Sequence, residues 1–218
     1  LCRGDGLLRK SSLRCDTVLA PTGSANFSMS QTIVSSASEL STMQRIVVVG
    51  ISGAGKSTLA KALSDRNRLP YVPLDELFWG PQWQPKPAPV FAGLVQQAVD
   101  GERWVVDGTY ATVRQHIWPK AQAVIWLNVS LPVTLWRVLR RTVWRILARE
   151  RLWHDNRESI GRALSKESLL LWVWENHKRR REEFGRLRAD KAYPHLVWFE
   201  FKSPSEVRTF LRALKPVT

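Results

Sequence analysis

The residues whose types and spacing carry the most specific chemistry are Gly50-Ile51-Ser52-Gly53-Ala54-Gly55-Lys56-Ser57. They match G-x-x-x-x-G-K-[ST] at each fixed position. Glycines let consecutive backbone N–H groups turn inward around a phosphate, where a Cβ would block the approach. A helix beginning at this point adds the partial positive charge of its N-terminus. Lys56 reaches the β- and γ-phosphates, and the Ser57 hydroxyl is a hard ligand for Mg²⁺. The expected ATP-binding residues are therefore Gly50, Ser52, Gly53, Ala54, Gly55, Lys56, Ser57 and Thr58. The flanks agree: the apolar run Ile46–Val49 enters the loop, and Thr58-Leu59-Ala60-Lys61-Ala62-Leu63 leaves it as a helix former.

Further along, acids and aromatics complete a set suited to phosphoryl transfer. Asp107 follows Trp104-Val105-Val106, at the carboxyl end of a strand, where ligands bind in open α/β sheets. A carboxylate there holds Mg²⁺ directly or through water, although Asp-Gly is also a common turn pair. Asp75 is expected to end the second strand, beside Glu76, where it would orient or deprotonate an acceptor hydroxyl. Phe78, Trp79 and Trp83 surround a Pro-rich stretch from Pro81 to Pro89. Their faces suit a planar acceptor such as a base, or else pin the loop. Tyr110 and Arg114 join the acceptor set, with Arg114 open to either an acceptor phosphate or a salt bridge.

Arg137, Arg141, Arg145 and Arg149 step by four along one helix, which aligns their guanidinium groups. Each guanidinium can bind two equatorial oxygens of a phosphoryl group in flight. Arg137 and Arg141 join Lys56 and Asp75 as catalytic candidates, in a row that closes over ATP as a lid. Arg140 falls nearer the apolar flank. The segment Trp153 to Ser165 is short, so any lid is small.

These groups need elements to hold them. Short apolar runs predict strands over Arg45–Val49, Tyr71–Leu74, Trp104–Val106, Ala123–Leu127 and Leu196–Phe201. Between them, helices are predicted over Thr58–Asp65, Val90–Val99, Leu131–Arg151, Glu167–Arg188 and Pro204–Leu214, the last with Ser203 as N-cap. Apolar strands separated by helices imply a parallel sheet covered on both faces. In the third-from-last helix, Leu135, Val138, Leu139, Val143, Ile146 and Leu147 form the expected buried stripe. Trp118, Trp126, Trp136, Trp144, Trp172, Trp174 and Trp198 are expected in the core or lining grooves.

Composition bounds the partners. The 218 residues are 44% hydrophobic and 24% charged, as for one globular domain rather than a disordered chain. No run is long and apolar enough to span a bilayer. The two cysteines, Cys2 and Cys15, lie before the motifs, which points to a reducing, cytoplasmic setting. Residues 1–42 are serine-rich and lack tryptophan; they are expected to lie outside the fold as a disordered or non-native extension, with the domain spanning 43–218. The net charge of +14 attracts polyanions. Its densest segment, Lys178 to Lys191, leaves nucleic acid open as a partner.

From Gln44 to Leu214 the chain resembles the adenylate-kinase-like branch of P-loop NTPases, and within it the DNA topology modulation (FlaR-type) group. The resemblance rests on Val47–Leu59, Leu74-Asp75-Glu76-Leu77-Phe78-Trp79, Val105-Val106-Asp107-Gly108-Thr109-Tyr110, Leu135–Arg141 and Trp172-Val173-Trp174. It implies a three-layer α/β/α fold on a five-stranded parallel sheet, an acceptor region after strand two and an arginine-bearing lid. By the same analogy the turn Phe201-Lys202-Ser203-Pro204 lies against the nucleotide base. Three readings stay open: a kinase using ATP and Mg²⁺ on a small-molecule or nucleotide acceptor, a nucleic-acid-associated ATPase or regulator, and a nucleotide-binding module without turnover.

Overall fold

The computed structural model describes residues 37–148, 168–190 and 192–214. The expectations for residues 1–36, Arg149, Arg151, Trp153 to Ser165 and Lys191 lie outside the described residues. Within them the order is β1 (Arg45–Gly50), α1 (Lys56–Asn67), β2 (Tyr71–Pro73), α2 (Leu74–Phe78), α3 (Ala88–Ala98), β3 (Trp104–Asp107), α4 (Arg114–Ile117), β4 (Ala123–Leu127), α5 (Leu131–Leu147), α6 (Leu169–Ala189), β5 (Val197–Phe201) and α7 (Pro204–Ala213). The sheet runs β2-β3-β1-β4-β5, every neighbouring pair parallel.

Alternation along the strands feeds two cores. Ile46 and Val48 of β1 enter one, with Leu59, Leu63, Val138, Val173 and Phe210. Val47 and Val49 enter the other, with Phe91, Val95, Ile117, Trp118 and Phe184. The expected three-layer α/β/α architecture follows, because both faces of β1 are fully apolar and must be covered. Helix α6 contributes Val173 to one core and Phe184 to the other. Ser203 caps α7 as expected, its hydroxyl accepting from the Glu206 amide at 3.2 Å.

Three expectations change. Residues 37–41 are helical, and Ala37 and Leu40 are fully buried in the first core. The packed unit therefore includes residues upstream of Met43, because one helical turn places Ala37 and Leu40 in the core that Ile46 and Val48 of β1 enter. Strand β2 ends at Pro73, so Asp75 sits in the first turn of α2 rather than at a strand end.

The third change is larger. In α5 the buried residues are Thr134, Val138 and Thr142, while Leu139, Val143 and Leu147 are 43%, 48% and 78% exposed. The helix is turned by about a quarter from the orientation its apolar stripe predicts. The reason is contact with the phosphate loop: a Cβ on Gly53 would lie 2.5 Å from Val138 Cγ2 and 2.9 Å from the Thr134 carbonyl. Thr134 is tolerated there because its hydroxyl donates to the Ser130 carbonyl at 2.9 Å. Trp136, Trp144 and Trp174 are likewise exposed, at 63%, 60% and 63%, whereas Trp118 and Trp126 are core as expected.

Candidate active site

The loop after β1 has the conformation its glycines permit. Gly53 and Gly55 take φ of +84° and +104°, the left-handed region closed to most side chains. Gly55 is also the N-cap residue of α1, so the first-turn amides of that helix face the loop. Lys56 folds back, its Nζ donating to the Ile51 carbonyl at 3.3 Å. Burial lowers the Lys56 pKa; Asp75 and Asp107 oppose that shift, while Arg141 and Arg180 add to it. Asp75, Arg141 and Arg180 line the same cleft as the lysine.

Asp107 stands at the end of β3 and is 4% exposed. Tyr71 donates to its Oδ1 at 3.2 Å, and Ser57 forms a further side-chain hydrogen bond to it. Burial raises the Asp107 pKa, although Ser57, Lys56 and Tyr71 all favour the carboxylate. A hydroxyl and a carboxylate side by side are the hard oxygen donors Mg²⁺ prefers. No larger cluster of ligating side chains occurs among the described residues. The pair thus fits a metal that completes its shell with phosphate oxygens and water.

Asp75 lies across the cleft. The Tyr110 hydroxyl donates to its Oδ1 at 2.7 Å, and burial followed by the Asp75 charge pushes the Tyr110 pKa upward, so the phenol stays a donor. Tyr110 packs against Phe78 with ring centroids 4.6 Å apart, Phe78 meets Trp79 at 4.9 Å, and Trp79 meets Trp83 at 5.7 Å. Phe78, Trp79, Trp83 and Tyr110 all line the cleft with Asp75. The connection that carries Trp83 is pinned by a Trp79–Pro85 bridge and by Gly80 donating to Gln84 at 2.7 Å. Gln82 and Trp83 hold φ of +55° and +58° there. Each such non-glycine residue costs about 1 kcal/mol, so the packing that presents Trp83 must offset strain.

Arg137, Arg141 and Arg145 line the cleft, and so does Arg140, which the sequence placed toward the apolar flank. Arg137 donates to the Ala54 carbonyl at 3.0 Å, which lays it over the phosphate loop. Burial lowers its pKa, and the neighbouring Arg208 and Arg140 lower it further. Arg208 belongs to α7, which lines the same end of the cleft with Pro204, Val207 and Leu211. Of the turn Phe201 to Pro204, Pro204 lines the cleft, whereas Phe201 is buried in the core.

Arg114 does not reach this cleft. It is salt-bridged to Glu183 and stacks over Trp118 at 5.0 Å, so of its two expected roles the ion pair is the one observed. In its place Arg180 of α6 lines the cleft, with Lys61, Glu175 and Trp172. Sequence reasoning missed Arg180 because it lies within Lys178-Arg179-Arg180-Arg181, where no spacing sets one residue apart. The basic segment is also not one bare face: Arg180 pairs with Glu183, Arg188 with Glu200 and Lys178 with Glu182.

The chain matches no protein-family model and no curated protein. Among solved structures, shikimate kinase from Bacteroides thetaiotaomicron aligns with 79% of this chain and 96% of its own, at 17% identity and a TM-score of 0.48. Shikimate kinase from Acinetobacter baumannii, in complex with shikimate, aligns with 81% of this chain and 93% of its own, at 14% identity and a TM-score of 0.44. A gluconokinase from Sinorhizobium meliloti aligns with 78% of this chain and 91% of its own, at 18% identity and a TM-score of 0.44. At these scores the likeness decides neither substrate nor role, and it lends nothing to the FlaR-type resemblance. No described helix is long and apolar enough to cross a membrane.

Proposed function

We propose that this protein is an ATP-dependent kinase that transfers the γ-phosphoryl group to a hydroxyl of a small-molecule acceptor. The observation that carries this reading is the convergence of Lys56, Asp75, Arg141 and Arg180 on one phosphate-loop cleft with an aromatic wall, with Asp107 hydrogen-bonded to Ser57 of the loop. A module that only bound nucleotide would need no carboxylate held across from the lysine. The amides of Gly53 to Thr58 and the Lys56 ammonium hold the triphosphate, and Arg137 with Pro204 borders its nucleoside end. Ser57 and Asp107 would hold Mg²⁺, which neutralises β- and γ-oxygen charge when bound.

The acceptor sits against Trp79, Trp83 and Phe78 with its hydroxyl toward Asp75. Tyr110 occupies one Asp75 oxygen and fixes the carboxylate plane, leaving the other to take the proton. The acceptor oxygen bonds to the γ-phosphorus, the bond to the β,γ-bridging oxygen breaks, and ADP leaves with that electron pair. Arg141 and Arg180 stabilise the equatorial oxygens as charge shifts toward the leaving group.

The test is ADP release by purified protein with ATP·Mg²⁺ across nucleosides, nucleotides, polyols, sugars and their acids. One acceptor class should stimulate release, and Asp75→Asn should remove the stimulation. ADP release that no acceptor raises and that Asp75→Asn leaves unchanged would sink the kinase reading.

A further inference from the structure

The ion pairing behind the cleft has an unusual stoichiometry. Glu183 receives two guanidinium groups, Arg114 on Oε1 and Arg180 on Oε2 at 2.8 Å. All three side chains are largely withdrawn from water, at 16% for Arg114, 18% for Arg180 and 23% for Glu183. Burial pushes the Glu183 carboxyl up, but hydrogen bonds from both arginines outweigh it and leave the pKa below the usual range. One carboxylate facing two guanidiniums leaves the trio with one net positive charge. Arg180 lines the cleft, close enough to Lys56 to lower its pKa, and its Nε is buried without a hydrogen-bond partner. Arg114 instead lines a small cavity with Ile117, Trp118 and Phe184, which adjoins the cleft at Gly108, Thr109 and Tyr110.

The sequence explains how Glu183 is held. It lies three residues after Arg180 on α6, on one side of the helix, and next to Phe184, which is buried in the second core. Arg114 opens α4, shortly after β3 delivers Asp107. One carboxylate therefore ties α6 to the side of the sheet that carries the metal-binding acid.

We propose that Glu183 is a positioning residue that aims Arg180 at the γ-phosphate of ATP. Arg114 engages the other carboxylate oxygen, so Glu183 cannot pair with Arg180 through both oxygens and quench its charge. Arg180 is thus held in place through Nη1, while the residue lines the cleft with donors left over for a ligand. This inference rests on the kinase reading, because it needs a γ-phosphate in the cleft.

The experiment is calorimetric titration of the full chain with ATP·Mg²⁺ and with ADP·Mg²⁺, read as the ratio of the two affinities, with a thermal midpoint for each variant. Arg180→Gln should lower the ATP-over-ADP preference about tenfold. Glu183→Gln should lower it about fivefold, although it makes the site more positive, and Glu183→Asp should recover part of the loss. A role through charge alone predicts a rise in preference for Glu183→Gln, and a role in folding alone predicts a lower midpoint with the ratio unchanged. Either result overturns the proposal. Arg114→Met, which frees the second carboxylate oxygen to pair with Arg180, should lower the ratio about threefold; a ratio left unchanged, or one that falls as far as in Arg180→Gln, overturns the proposal too. Wild-type protein that binds neither nucleotide would remove the kinase reading and this inference together, whereas normal ATP preference in Glu183→Gln removes this inference alone.

Discussion

The two ends of the cleft are built by different means. At the phosphate end the candidate binding groups are mostly backbone amides of one short segment, Gly53 to Thr58, plus one lysine from the same segment. At the acceptor end the candidate groups are side chains from separated elements: Asp75 from α2, Trp83 from the turn beyond it and Tyr110 after β3. A site made of one segment's backbone depends on local conformation and little else. A site made of distant side chains depends on how helices pack. The first should tolerate changes in the rest of the molecule and fail when its own geometry is altered. The second should fail through its supports.

The sharpest way to separate the two ends is to remove one charge from each. Lys56→Met should cut acceptor-dependent turnover by roughly 10³-fold and weaken ATP binding as well, since the ammonium contacts substrate and transition state alike. Asp75→Asn should cut turnover by roughly 10²-fold or more while ATP affinity stays within about threefold. The amide still accepts from Tyr110, so the fold is preserved and steady-state kinetics beside calorimetry read the difference. Equal loss of ATP affinity in both variants would erase the distinction between the ends.

A second pair probes the support that joins them. Val138→Ala should cost about 1–3 kcal/mol in denaturant unfolding, because Val138 is fully buried against Gly53. Its neighbour Leu139→Ala should change stability by no more than about 0.5 kcal/mol, being largely exposed. The reverse ranking would return α5 to the orientation its apolar stripe predicts and move the arginine row off the loop.

The smallest effect concerns Asp107. Burial raises its folded-state pKa above the unfolded value. Its contribution to stability is therefore fully present below the unfolded carboxylate range and is lost as pH rises through the folded pKa. Without metal at neutral pH, Asp107→Asn should melt no lower than wild type. The same variant should lose the Mg²⁺ stimulation of ATP binding. Stimulation retained in full would remove Asp107 from the metal site.

Legibility followed the same division. The phosphate loop was readable because its function is its local sequence: glycine at the positions of positive φ, lysine at the helix start, serine after it. The strands were readable because full burial leaves continuous apolar runs such as Ile46 to Val49. Asp107 was readable as a strand-end acid. Arg114 and Arg180 were not, since both are arginines near a glutamate in the folded chain and nowhere near one another in sequence. The stripe on α5 misled for a related reason: its apolar arc is broader than the core it meets, so periodicity alone could not say which part is buried.

What the amino-acid sequence determined by itself was the glycine-bearing loop, the helix it opens and the sheet that supports both, because all three follow from short-range steric and apolar patterns. What only the tertiary structure decided was which charges face the cleft. Helix rotation and a single carboxylate shared by two arginines settle that, and both depend on contacts between residues far apart along the chain.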